Sequence, residues 1–267
     1  MIPKVIHYCW FGGNELPELA MKCIDSWKKF CPDYEIKQWN EKNYDLDSSR
    51  YIKEAYKNKK WAFVSDYARL DIIYNNGGIY LDTDVELIGK LDEFLDEKCF
   101  LAAEREEYVN TGLGFGAEKG NVVIKELLDQ YNEIDIKSEN ENLFLPCPIR
   151  NTEPLLKKGY KFSKDKIWRT KLVTVYPAEY FCPIDYVTGE KYITNLTKSI
   201  HHYSASWHNK EEEKIHKIQE KCIKVLGIDR GKKVSRILDF PYRIKLKYKK
   251  LGLIGTLRFA QKKLKNN

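Results

Sequence analysis

The apolar positions near the start of the chain form a short continuous run and then change period. Val5-Ile6-His7-Tyr8-Cys9-Trp10, closed by Phe11-Gly12-Gly13, predicts a first strand. Around Pro17, the residues Leu16, Leu19, Ala20, Cys23, Ile24, Trp27 and Phe30 recur at helical spacing, so a helix is expected to return along the sheet. Tyr34 to Trp39 reads as a second strand. Phe63, Tyr67, Leu70 and Tyr74 form the apolar stripe of a helix from about Trp61 to Asn75, which Gly77 and Gly78 end before a third strand through Ile79-Tyr80-Leu81. This β-α-β-α-β alternation predicts an α/β fold with a mostly parallel sheet under helical cover. Farther on, Val122 to Tyr131 reads as a helix, Leu172 to Tyr176 as a strand stopped by Pro177, and Ser199 to Tyr203 as a short strand. A last helix is expected from an Asn209 cap to Gly227, with Glu211, Glu212 and Glu213 in its first turn, where the helix dipole favours anions.

Charge divides the chain more sharply than periodicity does. From Arg230 to Asn267 there are 13 Lys or Arg and one acid, Asp239, whereas residues 1–229 carry 33 basic and 38 acidic groups. The expected organisation is therefore a domain over 1–229 and a basic amphipathic segment over 230–267. Ile237, Leu238, Phe240, Tyr242, Ile244, Leu246 and Tyr248 interleave with the basic residues, a pattern suited to an anionic membrane surface or to a terminal helix pair covering the core. No nucleic-acid motif accompanies the charge, so nucleic acid is not an expected partner. With 267 residues and 43% apolar content the chain can bury one substantial core. No apolar run is long enough to span a bilayer, and the first strand begins so near Met1 that no signal peptide is expected. Seven scattered cysteines without metal spacing read as reduced, mostly buried thiols, which places the protein in the cytoplasm.

The candidate chemistry starts where the third strand ends. Asp82 and Asp84 stand two apart, so on a strand they share a face, and two carboxylates so close call for a hard cation such as Mg2+ or Mn2+. The chain has 16 Asp, and Asp45-Leu46-Asp47 is a second such pair. That pair lies among Asn43, Tyr44, Ser48 and Ser49 and reads as a solvated turn, whereas Asp82 and Asp84 follow an apolar run at the carboxyl end of a strand, where open α/β sheets place ligands. On the preceding helix Asp66 and Arg69, three apart, can pair with each other or with a ligand. Trp10 offers an aromatic face beside the permissive Gly12, and Ser206 and Trp207 offer donors suited to phosphate. His201 and His202 are adjacent, so on a strand only one of them faces the site.

Four blocks together resemble a known family. Ile2 to Gly13, Ser65-Asp66-Tyr67-Ala68-Arg69, Asn76 to Asp84, and His201-His202-Tyr203-Ser204-Ala205-Ser206-Trp207 look like the DXD-motif sugar transferases of glycosyltransferase family 32, in family order over residues 1–207. The resemblance implies a GT-A type fold with helices on both faces of the sheet, and transfer of a hexose from a nucleotide-diphosphate donor with retention at the anomeric carbon. It also implies Mn2+ or Mg2+ as cofactor, with Asp82, Asp84 and His201 as the metal set. Carried over, Asp66, Arg69, Asp82 and Asp84 are the catalytic residues. Trp10 stacks on the base, Asp66 and Arg69 hold the sugar, and Gly12, Tyr80, Asp82, His201, Ser206 and Trp207 complete the nucleotide-sugar set. Asn110-Thr111-Gly112 and Asn151-Thr152-Glu153-Pro154 fall where acceptor and donor loops would lie.

The expected donor is a UDP-hexose, galactose or glucose, with GDP-mannose as the alternative. The expected acceptor is a saccharide, a lipid-linked oligosaccharide of surface-polysaccharide synthesis, reached by a cytoplasmic protein held peripherally on the inner face of the membrane. A different enzyme class, an aspartyl-phosphate phosphatase with Asp82 as nucleophile and Asp84 as general acid, also matches Leu81 to Val85 locally. It lacks a second acidic metal motif on a later strand, since Asp92 and Asp96 follow too closely.

Overall fold

In a computed structural model, residues 1–104, 107–134, 145–185, 190–204, 210–246 and 248 are described. The chain forms two compact units, residues 1–184 with 191–203, and residues 185–190 with 204–267.

The first unit begins β1 (Val5–Cys9), α1 (Glu18–Phe30), β2 (Glu35–Trp39), α2 (Arg50–Lys57), α3 (Trp61–Asn76) and β3 (Gly78–Tyr80). There follow β4 (Val85–Leu87), β5 (Cys99–Ala102), β6 (Phe115–Ala117), α4 (Val122–Asn132), α5 (Cys147–Lys157), β7 (Trp168–Arg169), β8 (Thr174–Tyr176), α6 (Ala178–Phe181) and β9 (Ser199–His201). Seven strands make one sheet in the order β2-β1-β3-β6-β5-β8-β7, and β4 pairs with β9 in a small second sheet. β2, β1, β3, β5 and β8 run one way and β6 and β7 run the other. The sheet is thus mostly parallel, as expected of an α/β fold, with two reversed strands that the sequence pattern did not indicate.

Alternate strand residues feed two cores, as the pleat demands. Ile6, Ile79, Phe100 and Ala102 pack with Cys23, Ile24 and Trp27 of α1. Tyr80, Cys99 and Leu101 pack with Val64, Ala68, Ile124 and Leu155 of the helices opposite. Helices therefore cover both faces. Among the helices that escaped the sequence pattern are α2, whose Ser49 side chain accepts from the Ile52 amide as its cap, and α5, which holds two prolines, Pro148 in its first turn and Pro154 inside.

The turn from α3 into β3 depends on both glycines. Gly77 has φ +72 and its amide closes the helix on Ile73 O, a left-handed cap that disfavours any side chain. At Gly78 an added Cβ would meet Val5 O at 2.8 Å and His7 Nε2 at 2.9 Å, so only a residue without one lets β3 lie against β1 here. His7 in turn ties three segments together. Trp39 Nε1 of β2 donates to its Nδ1 at 3.0 Å, which fixes the tautomer and leaves Nε2–H to donate to Gly77 O at 3.1 Å.

In the second unit α7 (Lys210–Leu226) and α8 (Ile228–Leu238) pack as a hairpin, and an added Cβ at Gly231 would fall 2.4 Å from Ile223 Cα. Asp239 is fully buried and paired with Arg243, and Lys245 reaches Glu211 at 2.8 Å. Arg230, where the charge step occurs, lies inside α8. Val225, Ile237, Leu238 and Phe240 are exposed, alongside exposed Lys232, Lys233 and Arg236. All seven cysteines are buried thiols outside any disulfide, and no helix of the described residues is long and apolar enough to cross a membrane.

The buried His7 gives stability a defined pH dependence. Burial pushes its pKa down to about 4, and a proton on Nδ1 would face the Trp39 N–H donor-to-donor. The unfolded chain then binds more protons between pH ~6.5 and ~4, so this contribution is complete above pH ~6.5 and is lost as pH falls, by about 3 kcal/mol in all. In urea unfolding at pH 7 and pH 4.5, the wild type should lose roughly 2 to 3 kcal/mol more than His7→Gln. Equal losses in the two proteins would contradict the assignment.

Candidate functional site

The C-terminal ends of β1, β3, β5 and β8 lie along one edge of the sheet, and the acidic groups collect there. α3 supplies Asp66 and Arg69, one turn apart and both buried; Arg69 Nη2 donates to Asp66 Oδ1 at 2.9 Å and lies 3.3 Å from Asp82 Oδ1. Tyr80, the last residue of β3, donates its hydroxyl to Asp82 Oδ1 at 3.0 Å, and the Arg69 guanidinium sits 5.1 Å over the Tyr80 ring. One guanidinium thus serves two carboxylates. Burial pushes the Asp66 carboxyl up to about 6, Arg69 opposing it and the Asp82 charge adding to it. Burial and the Asp84 charge likewise raise Asp82 against the pull of Arg69. Arg69 stays charged despite its burial because both acids hold it so.

Asp82 and Asp84 do converge, though by a turn and not by strand alternation. β3 ends at Tyr80, and residues 81–84 turn the chain, closed by Val85 N donating to Asp82 O, before β4 begins. The pairing of β4 with β9 then sets Val85 opposite His201, so His201 Nε2 comes to 3.2 Å from Asp84 Oδ1. The ligand atoms of Asp82, Asp84 and His201 all lie within 4.8 Å of one another. Burial works against the His201 imidazolium, but Asp84 and Asp82 outweigh it and raise its pKa. Among the described residues its buried Nδ1 has no hydrogen-bond partner. Two carboxylates and an imidazole closing on one point fit a hard divalent cation. His202 faces away, to Glu86 at 2.8 Å, while its backbone amide donates to Asp84 O.

The remaining expected residues are placed as follows. Trp10 leaves β1 half-buried and donates Nε1 to Asn14 O at 2.7 Å. The Gly12 amide donates to Glu41, and the side of Gly12 where a Cβ would stand faces the Trp61 ring. Ser206 and Trp207 lie outside the described residues. The second acidic pair is solvated, with Asp47 held by Lys53 at 2.7 Å on the surface.

Several residues at the site carried no clear sequence signal. The turn through Asn110-Thr111-Gly112 enters at the same edge because β6 runs antiparallel to β3 and β5. Asn110 Oδ1 accepts from the Gly112 amide at 2.7 Å and from Cys147 Sγ at 3.4 Å, and its Nδ2 donates to Glu104 at 2.6 Å. Asn151 Nδ2 donates to Thr111 Oγ1 at 3.0 Å. The hints available were an Asn-x-Gly between two apolar segments and the family resemblance that set these residues in the acceptor and donor loops. Cys147, one of seven ordinary-looking thiols, gave none, although it opens α5 against Arg69 and Asn110.

Residues 17–101 match the family model described as the glycosyltransferase sugar-binding region containing DXD motif. Over 102 residues the chain is 33% identical to inositol phosphoceramide mannosyltransferase 3 of Schizosaccharomyces pombe, a match covering 35% of this chain and 27% of the relative. It is 30% identical over 120 residues to an uncharacterised glycosyltransferase of Acanthamoeba polyphaga mimivirus, covering 42% of this chain and 47% of the relative. It is 26% identical over 160 residues to subversion of eukaryotic traffic protein A of Legionella pneumophila, covering 48% and 24%. The chain therefore spans less than half the length of each of these relatives. Among solved structures, the PaToxG glycosyltransferase aligns with TM-score 0.49 and 20% identity over 59% of this chain and 69% of its own. A glycosyltransferase involved in the glycosylation of the major capsid of PBCV-1 aligns with TM-score 0.45 and 13% identity over 76% and 95%.

Gly112 is the most constrained point of the site. An added Cβ would stand 2.5 Å from Asp82 Oδ2 and 3.0 Å from Arg69 Nη1. Gly112→Ala should therefore displace Asp82, lowering stability by about 1 to 3 kcal/mol and abolishing any thermal shift produced by Mn2+. Unfolding scans with and without Mn2+ check this; a variant matching wild type in both contradicts the packing.

Proposed function

We propose that this protein is a retaining, metal-dependent hexosyltransferase that takes its sugar from a nucleotide diphosphate. The observation that carries the reading is the closure of Asp82, Asp84 and His201 on one point, directly beside the buried Asp66–Arg69 pair. Asp82, Asp84 and His201 would hold Mn2+ or Mg2+, which when bound stabilises the charge developing on the departing diphosphate. Arg69 keeps Asp82 and Asp66 in place, and Asp66 at the rear of the cluster accepts from the sugar hydroxyls. His202 holds the backbone of Asp84 rather than touching the donor. Trp10 stacks on the base. A single ring there suits a small pyrimidine, so UDP-galactose or UDP-glucose is the proposed donor. GDP-mannose stays as the alternative, which the mannosyltransferase relative supports. The phosphatase reading fares worse, because its nucleophile would be Asp82, which Arg69 and Tyr80 already engage.

The proposed acceptor is a saccharide on a lipid carrier, met at the cytoplasmic face of a membrane through the basic C-terminal segment. Exposed Ile237, Leu238 and Phe240 beside exposed Lys232, Lys233 and Arg236 support that proposal.

Release of nucleoside diphosphate from UDP-galactose, UDP-glucose and GDP-mannose with Mn2+ tests the site. The wild type and Asp47→Ala should hydrolyse a UDP-sugar fastest, and Asp84→Ala should lose activity by about a hundredfold or more. An Asp84→Ala protein with full, Mn2+-dependent activity would remove the basis of the metal assignment.

Flotation with phosphatidylserine vesicles tests the membrane proposal. Cutting after Asp229 would sever α8, so the informative truncation ends at Leu246, which leaves the α7–α8 hairpin whole and removes seven Lys or Arg. At about 1 kcal/mol per basic group near the surface, the full chain should float, the truncation, which keeps Lys232, Lys233 and Arg236 but loses seven basic groups, should float less, and added salt should release the full chain. Equal flotation of both proteins, or of neither, refutes the idea.

A further inference from the structure

Four carboxylates meet at the sheet edge, and the reading above uses only three of them. Asp82 and Asp84 face the metal point, and Asp66 is neutralised by the guanidinium 2.9 Å away. The fourth is Glu104, two residues beyond the end of β5. β5 and β3 run the same way with β6 between them, so Glu104 and Asp82 leave their strands at the same edge, on either side of the turn that enters β6. The bridge between Ala103 and Val109 and the bond from Glu104 N to Tyr108 O, 2.6 Å, hold its backbone there.

The carboxamide of Asn110 spans the gap between Glu104 and Asp82. Its oxygen lies on the side of Gly112, whose backbone packs against Asp82 and Arg69, and its nitrogen donates to Glu104 Oε1 at 2.6 Å. Glu104 is half-buried. Its charge also reaches both halves of the site. Burial is the dominant influence at Cys147 and at His201, and the Glu104 carboxylate acts electrostatically on each. This sets a carboxylate beside Asn110 and within electrostatic reach of both His201 and Cys147.

We infer that Glu104 is a catalytic carboxylate of the transfer, its negative charge facing the anomeric carbon, with Asn110 as its positioning residue. This rests on the transferase reading above. In the step, the bond from C1 to the phosphate oxygen breaks and its electron pair leaves on the diphosphate. The acceptor hydroxyl oxygen, or water in donor hydrolysis, forms the new bond to C1, and its proton ends on the departing phosphate. Glu104 makes and breaks no bond. It offsets the positive charge that C1 develops.

The charge and the shape of Glu104 can be separated. Glu104→Gln keeps an oxygen to accept from Asn110, so it preserves the turn and removes the charge. Its kcat for donor hydrolysis should fall by about a hundredfold or more, while its Kd for UDP with Mn2+ and its Tm stay close to wild type. In Glu104→Ala, added formate should restore hydrolysis in proportion to its concentration and neutral formamide should not. That second variant carries the test if Glu104→Gln folds poorly. A Glu104→Gln protein of wild-type activity, parallel loss of kcat and UDP affinity, or equal rescue by formate and formamide would each overturn the catalytic role and leave the transferase reading standing. A wild type that turns over no nucleotide sugar and binds no nucleoside diphosphate with Mn2+ would overturn both.

Discussion

Asp82 belongs to two charge clusters at once, and the site cannot be taken apart without deciding where its charge goes. On one side Arg69 and Tyr80 engage its Oδ1, and on the other it closes with Asp84 and His201. Asp66, Asp82 and Asp84 together carry more negative charge than one guanidinium can balance in a poorly solvated place. Burial is the first cause of the raised carboxyl pKa values of Asp66 and Asp82, with the neighbouring carboxylates adding to it, and Asp84 and Asp82 raise the imidazole of His201 against its burial. A divalent cation is the simplest way to relieve this imbalance of charge, which is why the electrostatics and the family match lead to the same chemistry.

The fold holds this imbalance in place by local steric choices. Gly77 turns α3 away, and Gly78 admits β3 against β1 under His7, so Tyr80 and Asp82 arrive where Arg69 on α3 can meet them. From the opposite side Gly112 presses its backbone on Asp82, where even a methyl group would collide. Removing one partner of a buried pair such as Asp66–Arg69 would leave an uncompensated charge, at a cost on the order of 3 to 5 kcal/mol. The cluster is thus a concentration of charge that the packing tolerates, and it does not hold the fold together. That task falls to the two apolar cores on either face of the sheet.

The β4–β9 ribbon plays a separate part. By setting His201 opposite Val85, it brings to Asp84 a residue more than a hundred positions later, and the His202 amide then fixes the Asp84 carbonyl. One histidine faces the acids and its neighbour faces Glu86, as the alternation of a strand requires.

What the sequence by itself determined was local. The period-3.6 stripe of α3, its three-residue spacing of Asp66 and Arg69, the glycines after it and the paired aspartates after β3 depend on neighbours within a turn or two, so residue order was enough to read them. The same local reading separated Asp82 and Asp84 from the solvated Asp45 and Asp47, because burial of the preceding strand was visible in its apolar run. Tertiary structure decided everything that depends on pairing across long separations. The reversal of β6, which brings Asn110 and Gly112 over Asp82, leaves no periodic mark, because strand direction is set by which edge is free and not by composition. The prolines of α5 hid a helix whose first residue, Cys147, packs into the site. Which histidine turns inward was open to sequence only as an either-or, since alternation sets their opposition but the register with β4 sets the choice. Glu104, one acid among 39 acidic residues, became distinguishable only when the sheet set the end of β5 beside the end of β3. Its chemistry comes from long-range convergence, and no window of sequence contains it.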